Sequence, residues 1–320
     1  MPAIRVRLIA PSGYPHDRAA MLRGVARLRD AGCEVEGLEV LDRTELRFAG
    51  SDSERASDIN ALATRVDLPD IALVTRGGYG ATRLLPHLNY GALRERLADA
   101  STLLVGHSDF TALQMALHAK SGLITFSGPL LADLGAESPG DLTWKSLWNT
   151  ATSSASSVHW QTASDVDTDV QGPLWGGNLA VLCSLIGTPY FPVIDDGILF
   201  VEDIGEPPFR IERLLYQLHL SGVLRRQRAL VLGSFSACKP GHRDNGYDLE
   251  AAFAQIHSVA GIPVIDGLPH GHGDVQLTLP FGAPARLHVA AGEAELSFSN
   301  YPHLHAPADG KERAGPSANP

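Results

Sequence analysis

The sequence predicts an α/β protein that begins with an open parallel sheet and ends in a second, α+β part that is mostly β toward its C-terminal end. Over the first 150 residues, short apolar runs alternate with segments of helical periodicity, which is the pattern of consecutive βαβ units. Glycine-rich turns follow two of the apolar runs, and ligands bind at that edge of a parallel sheet. From residue 262 to residue 298 the pattern is strand-rich with Gly and Pro turns, which predicts the mostly β end.

Each element of the first part follows from its local pattern. The apolar run Arg5–Pro11 predicts a buried strand that ends at a Ser-Gly turn. Apolar residues at helical spacing predict a helix over Arg18–Ala31, and Gly32 ends it. The same alternation then predicts strands at Cys33–Leu41, Ile71–Thr75 and Leu103–Val105, and helices at Ser53–Val66 and Phe110–Ala119.

The second part begins after a change in composition. The change spans Asn149–Val170, in which Ala151–Val158 is rich in Ser, Thr and Ala and Thr162–Asp169 is mostly polar with no apolar face. This predicts a linker. Beyond it, a Gly-Gly turn within Leu174–Ile186 opens a helix, and strands at Ile198–Glu202 and Ala229–Phe235 flank a helix at Ile211–Leu220. We therefore expect a first domain at 1–150, a linker at 151–172, a second domain at 173–303 and a disordered tail at 304–320.

Charge and cysteine content restrict the kind of partner. The formal net charge of −10 and the pI near 5.7 argue against binding to nucleic acid or anionic membranes, which requires a basic face. Cys33, Cys183 and Cys238 lie far apart, so neither a disulfide framework nor a thiolate zinc site is expected. The N-terminus lacks a signal-peptide pattern, and no apolar run approaches the roughly 18 residues of a membrane span. We expect a soluble, cytoplasmic protein.

Two turns at strand ends could bind or attack a ligand. Ser108 lies between an apolar strand and a helix, where the amides of the helix N-terminus can stabilise an oxyanion. The sequence there is Gly-His-Ser-Asp-Phe rather than Gly-x-Ser-x-Gly, and a simple helix cap by Ser or Asp is the alternative. Arg76–Gly80 (RGGYG) permits close backbone approach. It matches no nucleotide-binding motif, and an ordinary tight turn is the alternative.

Acids and histidines follow two later strands. Glu202 and Asp203 leave an apolar strand, where a carboxylate requires a partner. The partner is either a histidine that it orients or a nearby arginine. The segment 270–274 reads His-x-His-x-Asp, which is half of a metallo-hydrolase site, but no third histidine motif follows it. A general-base histidine is the better functional interpretation, and a surface turn is the alternative. The order Ser, Glu, His fits a serine hydrolase.

These motifs together resemble the LD-carboxypeptidase family of serine peptidases, which includes muramoyltetrapeptide carboxypeptidase and the microcin-immunity peptidases. The resemblance extends over nearly the whole chain. It is carried by six motifs in family order, which are RGGYG at 76–80, GHSD at 106–109, WGGNL at 175–179, GTPY at 187–190, LFVEDIGEPPFRIER at 199–213 and GLPHGH at 267–272.

The resemblance implies a catalytic triad at the junction of a flavodoxin-like N-terminal half and a β-rich C-terminal half. In it, Ser108 is the nucleophile, Glu202 the acid and His272 the general base. The amides of Gly78 and Asp109 are the implied oxyanion donors. No metal or cofactor is implied.

The family pattern also decides between neighbouring candidates. His272 is preferred to His270 because the pattern Pro-x-Gly-His ends there, and Glu202 is preferred to Glu206 because the family's acid directly follows the strand. Two additional imidazoles, those of His107 and His270, could alter the substrate preference or the pH profile.

The implied activity is release of the terminal D-alanine from murein tetrapeptides by cleavage of an L,D bond. The implied setting is cytoplasmic cell-wall recycling, and the implied assembly is a homodimer. Arg76 or Arg83 could bind the terminal carboxylate. A peptidase that cleaves peptidyl- or aminoacyl-nucleotides is the first alternative, and a non-catalytic protein that binds a small ligand is the second.

Overall fold

Two β-sheets form the framework of residues 3–137 and 140–304, the part of the chain described by this computed structural model. The strands are β1 (Ile4–Ile9), β2 (Cys33–Glu36), β3 (Ile71–Val74), β4 (Leu103–Gly106), β5 (Thr125–Ser127), β6 (Ala155–Gln161), β7 (Thr168–Asn178), β8 (Gly197–Ile204), β9 (Gln227–Ser236), β10 (Val264–Ile265), β11 (Leu279–Phe281), β12 (Pro284–Ala290) and β13 (Glu293–Ser299). The α-helices are α1 (Arg18–Asp30), α2 (Asp52–Thr64), α3 (Tyr90–Leu97), α4 (Thr111–Ser121), α5 (Leu131–Leu134), α6 (Asp141–Thr152), α7 (Leu179–Ser184), α8 (Pro208–Leu220) and α9 (Leu249–Val259).

The first sheet is parallel apart from one edge strand. Its order is β11-β5-β4-β3-β1-β2, and only β11 runs antiparallel to its neighbour, β5. Both β3 and β4 are buried along their whole length, as expected where helices cover both faces of a sheet. The order of β1 to β5 is that of flavodoxin-like folds, and it confirms the predicted fold class.

Two predicted elements of the chain are shorter than expected. The strand predicted over Cys33–Leu41 ends at Glu36 because Gly37 adopts φ +81°, where a Cβ would lie 2.7 Å from the Leu8 carbonyl oxygen. A 3₁₀ helix, Leu38–Asp42, follows it. The helix predicted within Leu174–Ile186 begins only at Leu179, since β7 continues through the Gly-Gly pair.

The second sheet is mixed. Its order is β10-β9-β8-β7-β12-β13-β6, with β7 to β10 parallel and β12, β13 and β6 antiparallel. The polar segment 151–172, predicted as a linker, contains β6 and the first residues of β7. In β6 only Trp160 is buried, because the strand lies at the edge of the sheet, and this accounts for the polar composition. The domain boundaries at 150 and 173 stay a prediction.

The two sheets share one interior. Strand β11 comes from the C-terminal half of the chain but pairs with β5 of the first sheet. One cluster of buried apolar side chains includes Val74 of β3, Trp175 of β7 and Val201 of β8. This packing places the carboxyl ends of β4 and β8 on either side of a common junction.

Two expectations concern the ends and the environment of the chain. The predicted tail at 304–320 lies outside the described residues except for Leu304. Within the described ranges, no helix has the length and apolar character that crossing a bilayer requires.

Candidate active site

Ser108 occupies a strained turn between β4 and α4. Its φ is +61°, a left-handed conformation that a non-glycine residue adopts only where the surroundings impose it, at a cost of about 1–3 kcal/mol. Two positions near this turn are glycines for steric reasons. A Cβ on Gly77 would lie 2.7 Å from Ser108 Oγ, and one on Gly106 would lie 2.7 Å from Val74 Cγ2. The turn therefore has the strained strand-to-helix form of a nucleophile elbow.

His272 connects Ser108 to Glu202. Its Nε2 lies 3.0 Å from Ser108 Oγ, and its Nδ1 lies 2.7 Å from Glu202 Oε2. The backbone N–H of His272 also donates to Glu202 Oε2 at 3.3 Å. The structure thus brings together three residues from three distant segments, in an arrangement that can move a proton from the hydroxyl to the imidazole.

Burial and mutual contact shift the pKa values of Glu202 and His272 in opposite directions. Burial lowers the pKa of His272, but the hydrogen bond and the charge of Glu202 outweigh it, so the pKa is raised overall. Burial raises the pKa of Glu202, but the hydrogen bond and the charge of His272 outweigh that effect and lower it overall. Glu202 is therefore ionised, and its charge favours the imidazolium.

Asn178 holds the acid in place. Its Nδ2 donates to Glu202 Oε1 at 3.3 Å and to Asp203 Oδ1 at 3.1 Å, and its Oδ1 caps α7 through the Val181 N–H. Asp203 accepts from the Ala180 N–H, and burial raises the pKa of Asp203 to about 6. Asn178 was not among the predicted site residues, although its place directly after a Gly-Gly pair was a usable signal.

The other candidates near His272 have different partners. Glu206 pairs with Arg210 at 3.0 Å. His270 is buried, with Nε2 3.1 Å from Ser127 Oγ and Nδ1 3.0 Å from the Leu277 carbonyl oxygen, and burial lowers its pKa to about 4. Asp274 is exposed. The His-x-His-x-Asp segment therefore does not converge on one point.

The Asp109 side chain ties two turns together. It accepts from Ser12 Oγ at 2.6 Å and from the Ala81 N–H at 2.8 Å, and it does not cap α4. Burial raises the pKa of Asp109, against the effect of these hydrogen bonds. Its side chain thus fixes the glycine-rich turn, which includes Gly78 at φ +105°, beside the serine turn. The roles of the Gly78 and Asp109 amides as oxyanion donors stay a prediction.

The two arginines expected near the site differ in their partners. Arg83 pairs with Asp52 at 2.7 Å and lies over the Phe48 ring. Arg76 is half-buried and donates to the Tyr14 carbonyl oxygen at 3.1 Å, and within the described ranges no carboxylate pairs with it. Burial lowers the pKa of Arg76. Of these two arginines, Arg76 is the one without a carboxylate partner within the described ranges.

His107 forms a second histidine–carboxylate pair next to the first. Its Nε2 lies 2.9 Å from Asp133 Oδ2, and its ring centroid lies 4.9 Å from that of His272. One ligand atom from each of His107, Glu202 and His272 lies within 4.8 Å of the other two, so this trio could hold a metal ion. Sequence reasoning missed Asp133, because nothing local in the sequence links it to a histidine 26 residues away.

Two stretches of the chain match the two domains of one known family. Residues 6–128 match the LD-carboxypeptidase N-terminal domain, and residues 171–287 match the LD-carboxypeptidase C-terminal domain. The chain belongs to the LD-carboxypeptidase family. This membership confirms the resemblance inferred from the six motifs, and it makes the chain a serine carboxypeptidase of the LD type.

Three relatives illustrate the range of proteins that are similar to this chain. A crystal structure of muramoyltetrapeptide carboxypeptidase from Oxalobacter formigenes is 43% identical, with a TM-score of 0.86 and coverage of 93% of this chain and 99% of that one. The murein tetrapeptide carboxypeptidase of Pseudomonas aeruginosa is 33% identical over 88% of this chain and 92% of its own length. The microcin C7 self-immunity protein MccF of Escherichia coli is 30% identical over 81% and 83%.

Proposed function

We propose that this LD-carboxypeptidase releases the terminal D-alanine from murein tetrapeptides by cutting the L,D bond before it. The observation that carries the proposal is the continuous contact from Ser108 Oγ through His272 to Glu202, at 3.0 Å and 2.7 Å. The substrate is supported by the names of the relatives from Oxalobacter formigenes and Pseudomonas aeruginosa.

In the proposed mechanism, acyl transfer proceeds in two steps. His272, oriented by Glu202, takes the proton from Ser108 Oγ as the oxygen attacks the scissile carbonyl carbon. The amides of Gly78 and Asp109 stabilise the oxyanion. His272 then gives the proton to the leaving amine of D-alanine, which departs and leaves an acyl-enzyme. Water, deprotonated by His272, releases the shortened peptide and restores Ser108.

The free carboxylate of the terminal D-alanine requires a cationic or amide-rich pocket, and we assign its binding to Arg76. Arg76 follows β3 in the glycine-rich turn beside Ser108, and a Cβ on Gly13 would lie 3.0 Å from its Nη1. Its guanidinium has no carboxylate partner in the described part of the chain, unlike that of Arg83. An arginine fork can bind a carboxylate with two parallel hydrogen bonds.

The cellular setting and the assembly belong to the same proposal. A murein tetrapeptidase of this family acts in cell-wall recycling in the cytoplasm, and the resemblance also implies a homodimer. Both statements rest on the family alone. Sedimentation equilibrium of the purified chain tests the homodimer.

Cleavage of aminoacyl-nucleotides is the second candidate, favoured by the likeness to MccF. A structure of MccF in complex with glutamyl sulfamoyl guanosine matches this chain with a TM-score of 0.83 at 25% identity. The two activities share the acyl-transfer chemistry and differ in what the site holds on either side of the scissile bond.

The deciding experiment measures D-alanine release from purified murein tetrapeptide, with EDTA present throughout. We expect turnover by the wild type and a loss of about 10⁴-fold or more for Ser108→Ala. A parallel assay with aminoacyl-sulfamoyl adenosine tests the second candidate. Turnover of that compound alone would transfer the proposal to nucleotide conjugates, and activity surviving in Ser108→Ala would exclude the triad.

The same assay tests the carboxylate contact. We expect Arg76→Ala to raise KM with a smaller change in kcat, because the contact is made with substrate before and during reaction. Arg83→Ala is the matched control, since that arginine is paired with Asp52, and its KM should stay near the wild-type value. An unchanged KM for Arg76→Ala would remove Arg76 from the site.

A further inference from the structure

The trio of His107, Glu202 and His272 has the chemistry of a zinc site. Two imidazoles and one carboxylate are the protein ligands of many catalytic zinc centres. One ligand atom from each lies within 4.8 Å of the others. Zinc bonds to nitrogen and oxygen of 2.0–2.2 Å place tetrahedral ligands about 3.4 Å apart, so modest side-chain rotation would bring the three atoms to that spacing.

The hydrogen bonding of His107 resembles that of histidines that bind metals. Such histidines donate one ring N–H to a carboxylate, which leaves the other nitrogen to the metal. Asp133 lies 2.9 Å from Nε2 of His107. Nδ1 of His107 is buried and has no hydrogen-bond partner in the part of the chain that the structure describes. A buried nitrogen without a partner is costly, and a bound cation would satisfy it.

A cleft adjoins two of these three residues, and the third, Glu202, is buried in contact with His272. A cleft of about 290 Å³ is lined by both His107 and His272. Two carboxylates, those of Asp133 and Asp274, also line it, and the chain as a whole carries a formal net charge of −10. Such a field concentrates cations at the cleft.

We propose that His107, Glu202 and His272 form a binding site for a divalent cation of the zinc class, and that a bound ion reversibly inhibits the enzyme. A neutral imidazole has one nitrogen with a free lone pair. Whichever nitrogen of His272 binds the ion, none is left to accept the Ser108 proton. The ion and the productive substrate complex therefore exclude each other. The inhibition rests on the proposed function, whereas the binding site does not.

Binding is measured first, without reference to activity. Zinc chloride is titrated into the apo wild type and the His107→Gln and Asp133→Asn variants by calorimetry, and Co²⁺ absorption reports the coordination geometry. We expect one site in the wild type and a weakening of about tenfold or more in each variant. His159→Gln removes an exposed histidine from β6 and serves as the matched control, so it should bind zinc as the wild type does.

Inhibition is measured next, as the ratio of D-alanine release with and without zinc within each protein. We expect zinc to inhibit the wild type and His159→Gln, EDTA to restore both, and His107→Gln to require at least about tenfold more zinc. Magnesium, which prefers oxygen ligands, should not inhibit.

Three results would overturn the proposal. They are no zinc site in the wild type, a site as strong in both His107→Gln and Asp133→Asn as in the wild type, or a filled site with full activity. A protein that binds zinc through His107 but cleaves neither substrate would refute the proposed function and leave the metal site intact.

Discussion

Glu202 is a buried carboxylate in direct contact with His272. It is 1% exposed and contacts both the Nδ1 and the backbone N–H of His272. Its charge raises the pKa of His272 against the opposite effect of burial. The general base must be neutral to act, so activity should fall as the pH drops through that raised pKa.

Glu202→Gln should therefore change both the rate and the pH profile. The amide can donate to Nδ1, which favours the wrong tautomer, and we expect kcat/KM to fall by about 10⁴-fold. Without the carboxylate charge the pKa of His272 falls, so the acidic limb of the profile should move to lower pH. The measurement is kcat/KM for D-alanine release across the acidic range.

Glu206→Gln is the control for this prediction. Glu206 is the next glutamate along the chain and pairs with Arg210 rather than with His272. Its acidic limb should coincide with that of the wild type. An acidic limb that stays in place in Glu202→Gln would contradict the assigned coupling.

At the scale of elements, the turns that follow β3 and β4 form a single unit. Asp109, in the serine turn, accepts from the Ala81 N–H directly after the glycine-rich turn. Gly77, in the glycine-rich turn, faces the serine turn, and a Cβ there would lie 2.7 Å from both the Cβ and the Oγ of Ser108. Ser108 can therefore occupy its position only because residue 77 is a glycine, which has no Cβ.

Gly77→Ala should reduce activity with the fold intact. The added methyl group would push Ser108 away from His272, and misplacement by about 1 Å can cost about 10²-fold in rate. Gly91→Ala in α3 is the control, because its Cβ would have only one neighbour within 4 Å. It should keep full activity and gain about 0.5–1 kcal/mol in the free energy of unfolding. Equal kcat values in the two variants would refute the steric argument.

The elements also show what the sequence could predict. Ser108 directly follows β4 of the first sheet, whereas Glu202 lies in β8 of the second. The rule that carboxyl ends of strands meet at one edge applies within a single sheet, so the proximity of these residues was predicted by the six family motifs rather than by the strand pattern. The ends of elements could not be predicted from the local sequence. At the end of β2, for example, a Cβ on Gly37 would lie 2.7 Å from the Leu8 carbonyl oxygen of the neighbouring strand β1. Asp133 was missed because only the tertiary fold brings it to His107, 26 residues away in the sequence.

At the scale of the molecule, the two halves of the chain depend on each other. Phe281 in β11 is fully buried, packs edge-to-face on His118 of α4 and pairs in register with Thr125 of β5. It belongs to a cluster that contains buried side chains of both sheets. Loss of this side chain should therefore weaken both sheets.

Phe281→Ala should lower the free energy of unfolding by about 3–5 kcal/mol. Hydrogen exchange of amides in β1 and in β9 measures the effect in each sheet separately, and we expect protection to fall by a similar amount in both. Leu220→Ala, at a side chain that is 78% exposed, should change either value by less than about 0.5 kcal/mol. Protection lost in the first sheet alone would show that the halves are independent.

Ser108 and His272 are 164 residues apart in the sequence and touch only in the folded chain. During synthesis, the serine and its turn are complete long before the histidine has been made. A nascent or truncated chain therefore carries Ser108 without His272, and under the proposed mechanism it cannot hydrolyse a murein peptide. Hydrolysis can begin only after the last third of the chain has packed against the first third. The appearance of activity is therefore a measure of completed folding.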